Sequence, residues 1–357
     1  QRFSISKRMI FMSKRILAAA CAAATALALS ACSTTASSGG GASKDGTLTV
    51  MASFYPLQYL AEKVGGEHVT VTSLTPAGAE PHDLELSPKM VDSLSNADAV
   101  VYLAGFQGAV DEAIEQHAPT TVIDVSSAAQ LVAIDSTSNH PGEDEGTDEA
   151  QSGEAQSGKA QSGEAADHEH EGHDHEHADH DHHHDMSMDP HFWLDPARMA
   201  NAATLVGDKL AEADPTNAET YKANAKALNE ELTSLGDNLV AKTSTCQIKT
   251  FVTAHTAFGY LADRTGLTQV GISGLDPESS PSPARLAEIG KIAKDQGVTT
   301  IFTEALIDPK VAQTLADDLG ISTAVLDPIE SQTDSSKDYA AVMNDNIDAL
   351  TKANNCQ

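Results

Sequence analysis

Tyr221-Lys222-Ala223-Asn224-Ala225-Lys226-Ala227-Leu228-Asn229-Glu230-Glu231-Leu232-Thr233-Ser234-Leu235-Gly236-Asp237-Asn238-Leu239 is the stretch on which the fold turns. Tyr221, Ala225, Leu228, Leu232, Leu235 and Leu239 recur at steps of four and three, one apolar stripe on a helix of 3.6 residues per turn. Asp214-Pro215 offers a start signal, since proline is tolerated in a first helical turn. A helix from Pro215 to about Lys242 would be ~40 Å long at 1.5 Å per residue.

On both sides of this helix, short apolar runs alternate with helical segments. Before it, Leu48–Phe54, Val69–Leu74, Ala99–Leu103 and Thr121–Val125 read as strands, with helices over Leu57–Val64 and Gln107–His117. After it, Thr250–Ala254, Gln269–Ile272, Thr299–Thr303 and Thr323–Leu326 repeat the theme. Strand–helix alternation implies parallel sheets covered by helices. The expected fold is α/β: two lobes, each a mostly parallel sheet flanked by helices, joined by one long helix. The lobes are expected at 47–213 and 244–357, with the linking helix at 214–243.

The formal net charge is −30. A polyanionic partner would be repelled, so nucleic acid is excluded and cations are the natural guests. Half of that charge is local, because residues 140–189 contain sixteen Asp/Glu and one Lys. Within them, Gln-Ser-Gly-Glu/Lys-Ala occurs three times over 151–165. With almost no apolar side chains to offset ordering entropy, 136–189 is expected to be a disordered acidic insert in the first lobe. Its second half holds nine imidazoles among acids: His168, His170, His173, His175, His177, His180, His182, His183 and His184. Such a tract gives many weak, interchangeable ligand sets for a borderline transition metal, a collector rather than a tight site. A solvated spacer is the bland alternative.

Lys7, Arg8, Lys14 and Arg15 precede an apolar run from Ile16 to Ala31 that is short for a membrane span. Met9 or Met12 is the expected start of translation. Residues 1–32 therefore read as an export signal, and Leu29-Ser30-Ala31-Cys32 resembles the bacterial lipobox, in which the cysteine carries the lipid. A Ser/Gly/Ala tether over 33–46 follows. The protein is thus expected outside the cytoplasm, held to the membrane through Cys32. Of the remaining cysteines outside the signal, Cys246 and Cys356 either pair in an oxidising compartment or stay free; neither has zinc-thiolate spacing.

A tight metal site requires ligands held by folded elements, and three histidines stand beside strand ends or strong turns. His82 lies in Pro76-Ala77-Gly78-Ala79-Glu80-Pro81-His82 after a strand, His191 in Asp189-Pro190-His191-Phe192-Trp193-Leu194-Asp195-Pro196, and His255 ends Phe251-Val252-Thr253-Ala254. Ligands in open α/β sheets gather at the carboxyl ends of strands, so all three can line one cleft. His68 and His117 are left as surface residues. Glu304, also at a strand end, is read as supporting the site or the fold rather than binding the ion.

These residues sit in motifs resembling the zinc-specific solute-binding proteins of bacterial ABC importers. The motifs run in order: Gly78-Ala79-Glu80-Pro81-His82-Asp83-Leu84-Glu85, the histidine tract, His191-Phe192-Trp193-Leu194-Asp195-Pro196, Thr253-Ala254-His255-Thr256-Ala257-Phe258-Gly259-Tyr260 and Leu326-Asp327-Pro328-Ile329-Glu330. The resemblance covers roughly Leu48 to Leu350. It implies Zn²⁺ as transported cargo, His82, His191 and His255 as ligands, an ABC permease as membrane partner, a monomer, and no enzymatic activity. The fourth ligand is taken as Glu330, in the turn after the last strand, with Asp327 or water as the alternatives. A histidine at 255, where manganese-type relatives usually carry a carboxylate, favours zinc over manganese. The competing readings are a surface zinc hydrolase, against which there is no His-Glu-x-x-His or Gly-x-Ser-x-Gly motif, and a passive metal buffer or adhesin.

Overall fold

The computed structural model describes residues 46–117, 119–135, 139–140 and 187–357. The export signal with Cys32, the tether up to residue 45 and all nine tract histidines lie outside the described residues.

The chain runs β1 (Leu48–Ala52), α1 (Tyr55–Gly65), β2 (Val69–Ser73), α2 (Pro88–Ser95), β3 (Ala99–Tyr102), α3 (Gly108–His117), β4 (Thr121–Asp124) and α4 (Ser126–Ala129). A small antiparallel pair follows, β5 (Val132–Ala133) with β6 (Met188–Asp189). Two helices come next, α5 (Pro196–Ala213) and α6 (Ala218–Thr243). The second lobe is β7 (Thr250–Thr253), α7 (Gly259–Thr265), β8 (Thr268–Gly271), α8 (Pro283–Gln296), β9 (Thr300–Thr303), α9 (Lys310–Leu319), β10 (Ser322–Val325) and α10 (Tyr339–Ala353). No helix among the described residues is long and apolar enough to cross a membrane.

Both sheets are parallel and share one topology. The first has order β2-β1-β3-β4 and the second β8-β7-β9-β10. In each, the first and third strands are central neighbours. The chain therefore leaves in opposite directions from those two strands, which opens a crevice above their carboxyl ends.

Helix starts follow local chemistry. Ser87 and Ser282 accept from the backbone N–H three residues on, and Asp195 from Ala197 N, each just ahead of a proline in the first turn. Such caps are worth about 1 kcal/mol each.

All six stripe residues of α6 are buried, and the helix packs against α1 and α5 on one side and α7 and α10 on another. One continuous apolar cluster runs from Val50 and Leu60 through Trp193, Val206 and Leu232 to Phe302 and Leu350, so both lobes and the helix share a core. Separate clusters fill the outer face of each sheet.

Two expectations need correction. The long helix begins at Ala218, not Pro215, because the Asp214 carboxylate makes a turn there. It receives Thr216 N at 3.1 Å, Asn217 Nδ2 at 2.7 Å and the Tyr221 hydroxyl at 3.0 Å. Helix α5 runs beside it. The approach is so close that a Cβ on Gly207 would fall 2.4 Å from that of Ala225. The insert expected to be disordered over 136–189 includes residues that the structure places, 139–140 and 187–189. His140 is 1% exposed and Asp189 fully buried, held by polar contacts that composition does not reveal.

The structure joins Cys246 to Cys356 in a disulfide spanning 110 residues. It ties the end of α10 to the segment between α6 and β7.

Candidate metal centre

Four side chains from distant parts of the sequence meet at the strand ends. His82 lies in the loop after β2, His191 just after β6, His255 just after β7 and Glu330 in the turn after β10. One donor atom from each lies within 4.8 Å of all the others. The tightest feature is Glu330 Oε1, which is 3.3 Å from His82 Nε2, 3.3 Å from His191 Nε2 and 3.4 Å from His255 Nε2.

Each imidazole is held from behind. His255 Nδ1 lies 2.7 Å from Glu304 Oε2, while Glu304 Oε1 accepts the His255 backbone N–H at 3.0 Å. Glu304 can do this because β9 pairs directly with β7. His191 Nδ1 lies 2.8 Å from Asp189 Oδ1, which also accepts His191 N at 2.9 Å. With Nδ1 facing a carboxylate, each ring turns its Nε2 toward the cluster, where loss of a proton leaves the lone pair a metal requires. His82 is placed through its loop. Glu80 accepts His82 N at 3.0 Å, Gln107 Nε2 donates to Pro81 O at 3.1 Å, and the Phe106 ring packs edge-on against the imidazole at 4.9 Å.

Glu330 hangs from a strained turn. Ile329 is a buried β-branched residue at φ +58°, a region such side chains rarely adopt. Asp327 Oδ1 holds its N–H at 2.7 Å, and Trp193 Nε1 donates to Pro328 O at 2.7 Å. Asp327, the alternative ligand, is outside the four-residue group and shapes this turn instead.

Electrostatics follow from the geometry. Burial opposes ionisation of Glu330, but the His191, His255 and His82 imidazoles override it and hold its carboxyl well below the usual range. Burial likewise opposes charge on His255, yet Glu304 and Glu330 outweigh it and raise the imidazole well above its ordinary value. His191 is raised for the same reason, through Asp189 and Glu330.

The donor set suits a divalent ion, and its three edges to Glu330 have tetrahedral length. Nε2 of His191 and of His255 are buried without a hydrogen-bond partner, a costly state unless something else engages them. A zinc ion bonded at about 2.0–2.1 Å sets tetrahedral edges of roughly 3.3–3.4 Å. The three imidazole-to-carboxylate separations have that length.

Among histidines the sequence reading set aside, His117 is exposed and His68 packs edge-on against Tyr221. It missed His140, which lies against Asp189. The signal, a histidine just ahead of an acidic repeat, was indistinguishable from the tract.

By architecture this is a two-lobed α/β protein with a buried donor set of three imidazoles and one carboxylate. Residues 50–353 match the family model described as zinc-uptake complex component A, periplasmic (ZnuA), and the chain belongs to that family. It is 35% identical over 318 residues to the zinc-binding protein AdcA of Streptococcus pyogenes serotype M1, covering 86% of this chain and 56% of that protein. The chain thus spans little more than half the length of such relatives. It is 32% identical to the high-affinity zinc uptake system protein ZnuA of Bacillus subtilis, covering 86% of this chain and 88% of that one. Similar solved structures include the laminin-binding protein Lmb of Streptococcus agalactiae, described as a bifunctional adhesin and metal transporter (TM-score 0.68, 27% identity, 86% and 99% coverage). Zn(II)-bound AdcA of Streptococcus pneumoniae is another (TM-score 0.65, 29% identity, 87% and 59% coverage).

Proposed function

We propose that this protein is the extracytoplasmic zinc-capturing component of an ABC-type zinc uptake system. It binds Zn²⁺ as cargo through His82, His191, His255 and Glu330, and passes it to a membrane permease. The observation that carries this reading is the pair of orphaned, buried Nε2 atoms facing one carboxylate oxygen at tetrahedral edge length. Three imidazoles and one carboxylate suit zinc, whereas manganese prefers more oxygen donors. Four protein donors also fill the shell, while a catalytic zinc keeps a position open for water, which disfavours the hydrolase reading.

The protein acts as a monomer anchored through lipid on Cys32, and the histidine tract gathers zinc near the cleft. The shared core and long helix resist a wide hinge, so release proceeds through shifts of the loops that carry His82 and Glu330. Competition titration of the mature protein tests the reading. One tight zinc is expected, and it is lost when His82, His191 and His255 are replaced together by alanine. Tight binding that survives the triple replacement overturns it.

A further inference from the structure

His140 is buried, histidine and absent from the donor set. Its Nδ1 lies 2.5 Å from Asp189 Oδ2 and its Nε2 lies 2.8 Å from Asp263 Oδ2 on α7. A carboxylate oxygen thus faces each ring nitrogen, so the ring is fixed from both sides. Asp189 uses its other oxygen, Oδ1, to hold His191 Nδ1. Asp263, His140, Asp189 and His191 therefore form one unbroken chain, from a side chain 49% exposed on α7 to a proposed zinc ligand.

The surroundings hold this chain in place. Asn139 Nδ2 donates to Asp263 Oδ1 at 2.9 Å, and its Oδ1 and O accept from Gln269 N at 3.1 Å and Gln269 Nε2 at 3.0 Å. Tyr260 packs edge-on against the His140 ring at 4.7 Å while its hydroxyl donates to Asp189 O at 2.7 Å. The first residue of α7 must be glycine for this packing. A Cβ on Gly259 would fall 2.6 Å from Asn139 O and 2.7 Å from His140 Nδ1.

We propose that His140 is a positioning residue for the metal site: it orients the buried Asp189 carboxylate, which in turn aims the His191 imidazole at the ion. Without His140, Asp189 Oδ2 is left buried and unpaired. The carboxylate then rotates or draws in water, and the His191 ring loses its fixed direction. His140 thus differs in kind from the tract histidines that follow it. The two ends of the insert, at residues 140 and 189, are clasped together as part of the metal site rather than serving as neutral attachment points.

This proposal rests on the reading of His191 as a ligand, and the test separates the two. Zinc competition titrations and Co²⁺ absorption spectra are recorded for the full mature chain and for His140→Ala, His140→Gln, Gly259→Ala and His191→Ala, with melting curves of the metal-free proteins. Loss of a partner behind a metal-binding imidazole typically weakens affinity by about 10–100-fold. That loss is expected for His140→Ala, with a changed cobalt spectrum. His140→Gln, which restores a donor to Asp189, should recover much of it, and Gly259→Ala should mimic the alanine variant. Replacing residues 141–186 by a short Gly-Ser linker should leave tight affinity unchanged, while replacing 136–186 should lower it as His140→Ala does. If His191→Ala weakens binding but His140→Ala and the longer deletion do not, the positioning role is overturned alone. It is also overturned if glutamine fails to rescue and affinity simply follows melting temperature. If His191→Ala itself leaves binding intact, the ligand assignment falls with it.

Discussion

His191 and His255 stand in contrast to His82 and Glu330. The first two are fully buried, and each is backed at Nδ1 by a carboxylate, Asp189 or Glu304. The other two ride on facing turns tied across the cleft by the hydrogen bond from Gly78 N to Ser331 Oγ at 2.7 Å and by the 3.3 Å approach of His82 Nε2 to Glu330 Oε1. One of those turns stores backbone strain at Ile329, of the order of 1–2 kcal/mol. One half of the site is therefore preorganised by charged partners, and the other is held by contacts weak enough to be exchanged.

Several substitutions break or sharpen this contrast, in falling order of effect on zinc affinity. His255→Ala removes a donor from the fixed half. It should cost more than the about 100-fold upper end usual for losing an outer partner, read by competition titration. Acidification comes next. Because the surrounding carboxylates raise His191 and His255 above the ordinary imidazole range, a metal must displace protons even near neutrality. Each displaced proton weakens binding about tenfold per pH unit, so even one such proton makes affinity at pH 5.5 fall at least about 100-fold below that at pH 7.5, and two make the fall steeper. An equal affinity at both values would contradict the assignment. Glu304→Gln keeps the shape but loses the charge behind His255, and about 10–100-fold is expected. Ser331→Ala removes only the Gly78–Ser331 tie across the cleft, which is worth about 0.5–1.5 kcal/mol. Zinc dissociation in stopped-flow chelator chase should accelerate by roughly 2–10-fold, with little change in metal-free stability. Reduction of the Cys246–Cys356 disulfide, remote from the cleft, should lower unfolding free energy by about 2–5 kcal/mol and leave zinc affinity untouched.

Much of the fold beneath this contrast was legible in the sequence. The stripe from Tyr221 to Leu239 announced the long helix because burial of one face demands that period, and all six residues are buried. Strand positions were legible to within one or two residues, since short β-rich runs punctuated by turns leave few alternatives. Helix α5 was not read: its apolar side is mostly alanine and glycine, which signal burial weakly although they are what lets α6 lie so close. The start of α6 was misplaced because Asp214-Pro215 opens a turn as readily as a helix.

Residue types and their order determined, by themselves, an α/β chain with cation-seeking chemistry and three histidines at strand ends. Each follows from local period, turn chemistry or ligand preference, none of which requires knowing what touches what. Tertiary structure alone showed that Glu330 lies among the imidazoles while Asp327 shapes its turn, that Asp189 and Glu304 stand behind them, and that His140 lies between Asp189 and Asp263. Those assignments depend on parallel sheets aligning residues tens to hundreds of positions apart. A carboxylate's role is set by which nitrogen lies within about 3 Å of it, and no one-dimensional pattern carries that distance.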